Sequence, residues 1–406
     1  MTSPALPRAY GPGVLEAGFR GTPEDFRVEE IDAFAADGDG EHLLLTIEKR
    51  GENTMHVARR LARWAGIADV GIGWAGMKDR HAVTVQRFSV HLPRRVAPDL
   101  AALETPGADG RPSLRVIASA WHRRKLPRGA SHGNRFTLVL REVRGDRDAI
   151  QARLQALAEG GLPNYFGEQR FGRGGDNVDA ARRMFAGARV HRDQRSIYLS
   201  AARSELFNAV LAGRIADGDW ATGADGEVWM LDGRQSVFGP EPLDDALRAR
   251  AAAGDIHPTA PLWGRGESRS GAALQAREAA WLAPFADLRA GLEAAGLSQE
   301  RRATRVRVAE AGWTWPAPDI LELRFALPPG AYATGLLAEL GDVRERRREP
   351  AGPDGGSVLK ALVDRMLRQR ADVLAFASAP EAMGGTGAVL ALLARKRPGE
   401  QPVSRD

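Results

Sequence analysis

Alternating apolar and polar positions mark several strands in the first third of the chain. Phe26 and Val28, with Glu30 in the same row, alternate with Arg27 and Glu29, which predicts a short strand after a turn at Pro23. Residues 43–49 predict a second strand. Gly51-Glu52-Asn53-Thr54 breaks it, and Asn53 or Thr54 can cap a helix over about 55–65, where Val57, Leu61, Trp64 and Ala65 recur at helical spacing. From Ala82 onward Ala82, Thr84, Phe88, Val90 and Leu92 share one strand face, opposite Arg87, Ser89 and His91. Gln86 is the one strongly polar residue in that inner row, so burial would oblige it to find hydrogen-bond partners. A strand over 136–140 and a helix over about 146–158 follow, the helix ending at Gly160-Gly161.

The span from Leu162 to Gly175 (LPNYFGEQRFGRGG) mixes aromatics, an amide pair, arginines and glycines too densely for a regular element. It reads as a structured junction and a domain boundary. Helices are predicted over 177–188 and 200–216, the second capped by Ser200. Asp232-Gly233 sets a hairpin between 227–231 and 234–238. Alanine-rich helices are predicted over 243–252 and 271–295, so 161–306 can bury a core of its own. A buried strand over 319–327 is stopped by Pro328-Pro329-Gly330, and a helix starts near 331–340. Past a Pro/Gly-rich stretch at 350–356, helices over 357–377 and 387–395 and a basic, flexible end carry no recognisable chemistry.

Composition narrows the function classes. Two domains suit 406 residues, and 43% hydrophobic with 27% charged residues is ordinary for a globular protein. The absence of cysteine excludes disulfides, thiol catalysis and cysteine-ligated zinc. The eight histidines are scattered, so a metal site is not expected. The start lacks a signal peptide's pattern and no run of about eighteen apolar residues exists, which predicts a cytoplasmic protein off the membrane. Net charge is +5, and of the 57 basic residues five are lysine (49, 78, 125, 360 and 396). The arginine bias fits a GC-rich genome as well as a polyanionic partner.

Gly76-Met77-Lys78-Asp79-Arg80-His81 carries the candidate chemistry: a carboxylate between cations, after glycines and just before a strand. Asp79 is the candidate nucleophile, although Lys-Asp-Arg in a loop is by itself an ordinary solvated turn. The neighbouring Gly71-Ile72-Gly73-Trp74-Ala75-Gly76 matches GxGxxG, but with a helix before and a strand after it the order is wrong for dinucleotide binding. Residues 121–135 form the most basic stretch of the first half, and its cations mixed with Trp121, His122 and His132 suit phosphate contacts with some stacking. Tyr332, at a helix start just past a strand, is placed to face a pocket.

Four stretches together resemble the TruD family of pseudouridine synthases, the tRNA pseudouridine-13 synthases. They are PEDFRVE at 23–29, GMKDRHAVTVQ at 76–86, PNYFGEQRFG at 163–172 and LPPGAYAT at 327–334. The resemblance covers about 13–345. It implies an α+β protein: a catalytic domain of mixed, largely antiparallel sheet with flanking helices, contributed by 1–160 and 307–345. An α/β TRUD domain would be inserted at 161–306, with 346–406 as a basic extension absent from shorter members. By matching position it implies that Asp79 is the catalytic aspartate and that Phe26, Asn134 and Tyr332 hold the target uridine. Arg20 stands where the family often has lysine, and Tyr332 where it often has phenylalanine.

The implied reaction breaks the N1–C1′ bond of a uridine in tRNA, turns the base and joins C5 to C1′, with no cofactor, by a monomer. Attack at C1′, attack at C6 and removal of the 2′ proton are all open to an ionised Asp79. Lys78 and Arg20 are the cations expected to support it, and Gln86 the buried polar residue nearby. The alternative is a non-catalytic RNA-binding or RNA-folding protein on the same scaffold. An aspartate-dependent glycosidase would need a second carboxylate that no spacing identifies.

Overall fold

The computed structural model describes residues 6–106, 112–345, 373–378 and 389–393. The chain begins with β1 (Leu15–Phe19), β2 (Phe26–Asp32), β3 (His42–Arg50), α1 (Thr54–Ala65), β4 (Ile72–Trp74) and β5 (Val83–His91). β6 (Thr105–Pro106), β7 (Pro112–His122), β8 (Ser131–Arg144) and α2 (Arg147–Gly160) follow. Next come β9 (Leu162–Pro163), α3 (Asp176–Phe185), α4 (Arg192–Asp217), β10 (Glu227–Leu231), β11 (Val237–Glu241), α5 (Asp245–Ala253) and β12 (Ile256–Leu262). α6 (Ala272–Trp281), α7 (Ala286–Ala294), β13 (Glu300–Ala303), β14 (Arg305–Val306), β15 (Ala309–Ala317), β16 (Ile320–Leu327), α8 (Ala333–Leu340) and β17 (Gly341–Glu345) complete this compact unit. A second unit contains β18 (Val373–Ser378) and β19 (Val389–Leu393), paired antiparallel.

Eleven strands make one mixed sheet, ordered β15-β16-β8-β2-β5-β3-β7-β6, with β1 bridging β8 and β17 and with β4 on β5. β2 and β5 run parallel over three residue pairs, and most other pairings are antiparallel. One apolar cluster packs β1, β2, β8 and β16 against α2 and α8, and a second packs β3, β5 and β7 against α1. The short β2–β5 pairing lies at the seam between them. β9 and β14 pair with each other. Between them the chain builds a separate four-stranded sheet, β11-β10-β12-β13, and an apolar cluster centred on α4.

Local chemistry accounts for several boundaries. Asn53 caps α1, its Oδ1 accepting from His56 N at 2.7 Å, and Gly66 ends the helix at φ +64°. Other boundaries depart from the pattern read in sequence. α4 begins at Arg192, so Ser200 lies inside the helix and is not its cap. The segment expected as one helix over 271–295 is two, α6 and α7, divided where Pro284 sits in a 3-10 turn. The helix expected over 387–395 is instead the strand β19, and the end of the one expected over 357–377 is β18. The rest of 357–377 lies outside the described residues. β12 and β15 were not anticipated.

Candidate active site

Strand register sets the site. On one face of the sheet, Phe26, Val28 and Glu30 of β2 stand opposite Leu138, Phe136 and Asn134 of β8, which stand opposite Leu323, Phe325 and Leu327 of β16. The rings of Phe26, Phe136 and Phe325 stack across these strands, with centroids 6.3 and 5.3 Å apart. The apolar row gives way to a polar one, Glu30 and Asn134. Asp79 precedes β5 and Tyr332 follows β16. The four residues expected at the site therefore belong to, or adjoin, four consecutive strands, β16-β8-β2-β5.

The loop carrying Asp79 is pinned from beneath. Buried Gln86 donates from Nε2 to Gly76 O at 3.2 Å and accepts from the Thr54 hydroxyl at 2.9 Å, while Thr54 Oγ1 accepts from Lys78 N at 2.9 Å. Gln86 thus has the partners that its burial requires. Lys49, fully buried, donates from Nζ to Glu52 O at 2.6 Å and to Asp79 O at 3.1 Å. Burial pushes the Lys49 ammonium down to about 8, opposed by the nearby Asp79 charge. Asp79 Oδ1 accepts from His81 N at 3.0 Å, which orients the carboxylate.

Arg20 meets the other carboxylate oxygen: its Nη2 lies 2.9 Å from Asp79 Oδ2, the two side chains being 12% and 25% exposed. Its remaining arm pairs with Glu345, which the parallel pairing of β1 and β17 brings alongside. The guanidinium lies 4.2 Å from the Phe26 ring centroid, so one arginine bridges the carboxylate and the aromatic row. Arg20 also adopts φ +60°, an uncommon backbone state for a residue with a Cβ. Of the two cations expected beside Asp79, the structure brings Arg20 to its carboxylate and turns Lys78 to Glu30, Nζ to Oε2 at 2.7 Å. The reason is position: Glu30 sits in the inward row of β2, and withdrawn from water it requires a counter-charge.

Phe26 is buried in the core, under Arg20. Asn134 has a buried Oδ1 with no hydrogen-bond partner, a costly condition unless something else fills it. Tyr332 is half-buried at the start of α8, its ring against Gly167 and its hydroxyl accepting from Arg170 Nη2 at 3.4 Å. The stretch 121–135 is partly occupied with local contacts. Arg128 lies over Trp74 at 3.6 Å, Lys125 donates to Val70 O, and Arg123 and Arg124 stay exposed. Sequence reasoning missed Lys49, although Leu43, Leu45 and Ile47 before it define the inward row that it continues. Arg170 and Arg302, both against Phe166, were also missed. Among the described residues no group of three or more His, Asp or Glu is arranged to hold a metal, and no helix is long and apolar enough to cross a membrane.

Comparison with known proteins agrees with this architecture. Residues 12–178 and 174–340 match the family model of tRNA pseudouridine synthase D. Residues 350–394 match the model of the Smr domain, so the segment expected as a bare extension carries a second family's pattern. A tRNA pseudouridine synthase D of Xanthomonas axonopodis pv. citri is 56% identical over 360 residues, covering 84% of this chain and 96% of its own. That of Methylococcus capsulatus is 47% identical over 337 residues, covering 82% and 94%. The crystal structure of a Methanosarcina mazei protein described as TruD superposes with a TM-score of 0.59 at 21% identity, over 84% of this chain and 95% of that one. With its fold, its four motifs and these matches in agreement, the chain belongs to the TruD family of pseudouridine synthases.

Proposed function

We propose that this protein isomerises a uridine of tRNA to pseudouridine, at position 13 by family resemblance, with Asp79 as the nucleophile. The observation that carries this reading is the chain of contacts from Asp79 through Arg20 to Phe26, on strands adjoining the unpartnered Asn134 amide. A stacked base is out of reach of such a carboxylate, so the target nucleotide turns out of the RNA into the site. Tyr332 stacks on the base, contributing about 1–3 kcal/mol toward the unstacking cost. Asn134 Oδ1 accepts a hydrogen bond from the uracil edge or its ribose. Phe26 forms the apolar floor, and Arg20 balances the Asp79 charge after water has left. The N1–C1′ bond breaks, C5 bonds to C1′, and the proton lost from C5 is matched by one gained at N1.

In this reading the catalytic domain comprises 1–160 and 307–345, and 161–306 is an inserted TRUD domain that begins and ends at the paired β9 and β14. The enzyme acts as a monomer in the cytoplasm, and the stretch 121–135 contacts RNA phosphates. The test is to incubate the purified protein with unmodified tRNA transcripts and map isomerised uridines by carbodiimide-dependent reverse-transcription stops. A stop at one defined uridine, absent with Asp79→Asn, supports the proposal. No stop with the wild-type protein across a full transcript set removes it in favour of RNA binding without turnover.

A further inference from the structure

We infer that Arg170 and Arg302 form a binding site for an RNA phosphodiester, which fixes the backbone next to the nucleotide seated on Tyr332. This inference rests on the reading of the protein as a tRNA-binding enzyme and specifies one contact within it. Arg302, on β13, lies 4.2 Å from the Phe166 ring centroid, and its Nη2 donates to Asn164 Oδ1 at 2.5 Å and to Gly330 O at 3.1 Å. Arg170 approaches the same ring at 5.4 Å, donating from Nη1 to Ser200 Oγ at 3.0 Å and from Nη2 to the Tyr332 hydroxyl at 3.4 Å. Every one of these partners is neutral. The Nε of each arginine is buried and has no partner.

Arg305, three residues on, also donates only to neutral partners, His257 Nδ1 and the Ala251 and Ile256 carbonyls, whereas two other buried arginines of the region are neutralised. Arg301, the residue next to Arg302, pairs with Glu278 at 2.8 Å, and Arg214 pairs with Glu227 and Asp219. Arg170 and Arg302 are distinguished by sharing one aromatic ring, as two neighbouring cations that, among the described residues, lack a carboxylate. Burial and the charge of Arg170 push the Arg302 guanidinium down to about 10, the behaviour of a cation short of an anion. A second observation points the same way. No side chain caps the first turn of α8 at Tyr332; Gly335 N donates to Tyr332 O at 3.0 Å, and the Ala333 and Thr334 N–H groups, close to where Arg302 holds Gly330, have no side-chain cap. Planar guanidinium forks and helix-end amides both suit a phosphate in geometry and charge. Since Arg170 also reaches the Tyr332 hydroxyl at 3.4 Å, a phosphate bound there would lie beside the ring that receives the base.

The test compares wild type, Arg170→Gln, Arg170→Lys and Arg302→Lys by filter binding of tRNA across potassium chloride concentrations, with thermal melting as the check on folding. Arg170→Gln is expected to melt like wild type and to bind about tenfold more weakly. Its log-log salt slope should be shallower by about 0.7–0.9, the value of one lost phosphate contact. Arg170→Lys should recover most of the slope. Arg302→Lys, which keeps the charge but loses the fork, should weaken binding with little change in slope, and it carries the test together with Arg170→Lys if Arg170→Gln fails to fold. An unchanged slope in Arg170→Gln, or weakened binding that Arg170→Lys does not rescue, makes the pair a structural brace and overturns the inference. Wild-type protein that binds with the expected salt dependence yet forms no pseudouridine defeats the enzymatic reading and leaves this site standing. Full turnover with an unchanged slope in the variant does the reverse.

Discussion

Lys49→Met isolates a buried charge beneath the Asp79 loop. The ammonium is fully buried and lowered from 10.5 to about 8. Between those values the unfolded chain still binds the proton that the folded chain has released, so stability rises with pH. From about pH 7 to about pH 9.5 the gain is about 2 kcal/mol for this single group. Methionine has the length without the charge and removes that slope. It also leaves Glu52 O and Asp79 O without their donor, a loss of about 1–3 kcal/mol for each carbonyl. At about pH 7 this offsets much of the roughly 3 kcal/mol desolvation penalty that disappears with the charge. The pH dependence, more than the absolute stability, is therefore diagnostic. Urea unfolding followed by tryptophan fluorescence reads it, kept below about pH 10. Above that value Tyr10, raised to about 12 by burial, contributes with the opposite sign. Parallel stability profiles in wild type and variant would refute the reasoning. The released Asp79 carbonyl should also lower kcat by about 10–100-fold, as small displacements of a reacting group do.

Asp79→Asn should leave tRNA affinity near wild type and abolish pseudouridine formation, and near-normal turnover would remove Asp79 from the chemistry. Arg20→Gly suits the φ of +60° and so should melt close to wild type, while kcat falls by about 100-fold for want of the guanidinium; an unchanged kcat defeats its role. Tyr332→Phe should retain most activity, since its hydroxyl contact with Arg170 is long, whereas Tyr332→Ala should lose about 10–100-fold; equal rates for the two exclude stacking. Reversing charge at the exposed Arg123 and Arg124 should weaken tRNA binding and flatten its salt dependence. Wild-type salt behaviour would return those arginines to the solvated surface.

What could be read from sequence followed how regular each segment's pattern is. β2 alternates over Phe26–Glu29, β3 over Leu45–Arg50 and β5 over Thr84–Phe88 because one face is buried, and α1 carries both an apolar stripe and a capping asparagine. β12 escaped because Pro258 and Pro261 argue against a central strand, yet it lies between β10 and β13. β15, with Gly312 and Pro316, is the sheet's terminal strand, where local propensity is weakest. The first turns of α4 are exposed and polar, so no stripe announced its start. In the site, Asp79 and Gln86 stood out within a single motif. That Arg20 and not Lys78 would face Asp79 depends on the pairing of β1 with β17, which joins residues that no local pattern connects. The convergence of Arg170, Arg302 and Tyr332 was equally invisible, because each comes from a different part of the chain.

The pairing of β1 with β17 bears on how the protein is made. Arg20 and Glu345 are 325 positions apart, and at about 5–20 residues per second the ribosome needs roughly 16–65 s to supply the second after the first. Until then β1 lacks one neighbour and the Asp79 carboxylate has no clamped arginine beside it. A nascent or prematurely terminated polypeptide thus exposes unsatisfied strand edges. On the proposed roles of Asp79 and Arg20, catalytic competence would arrive only with the last strand of this unit.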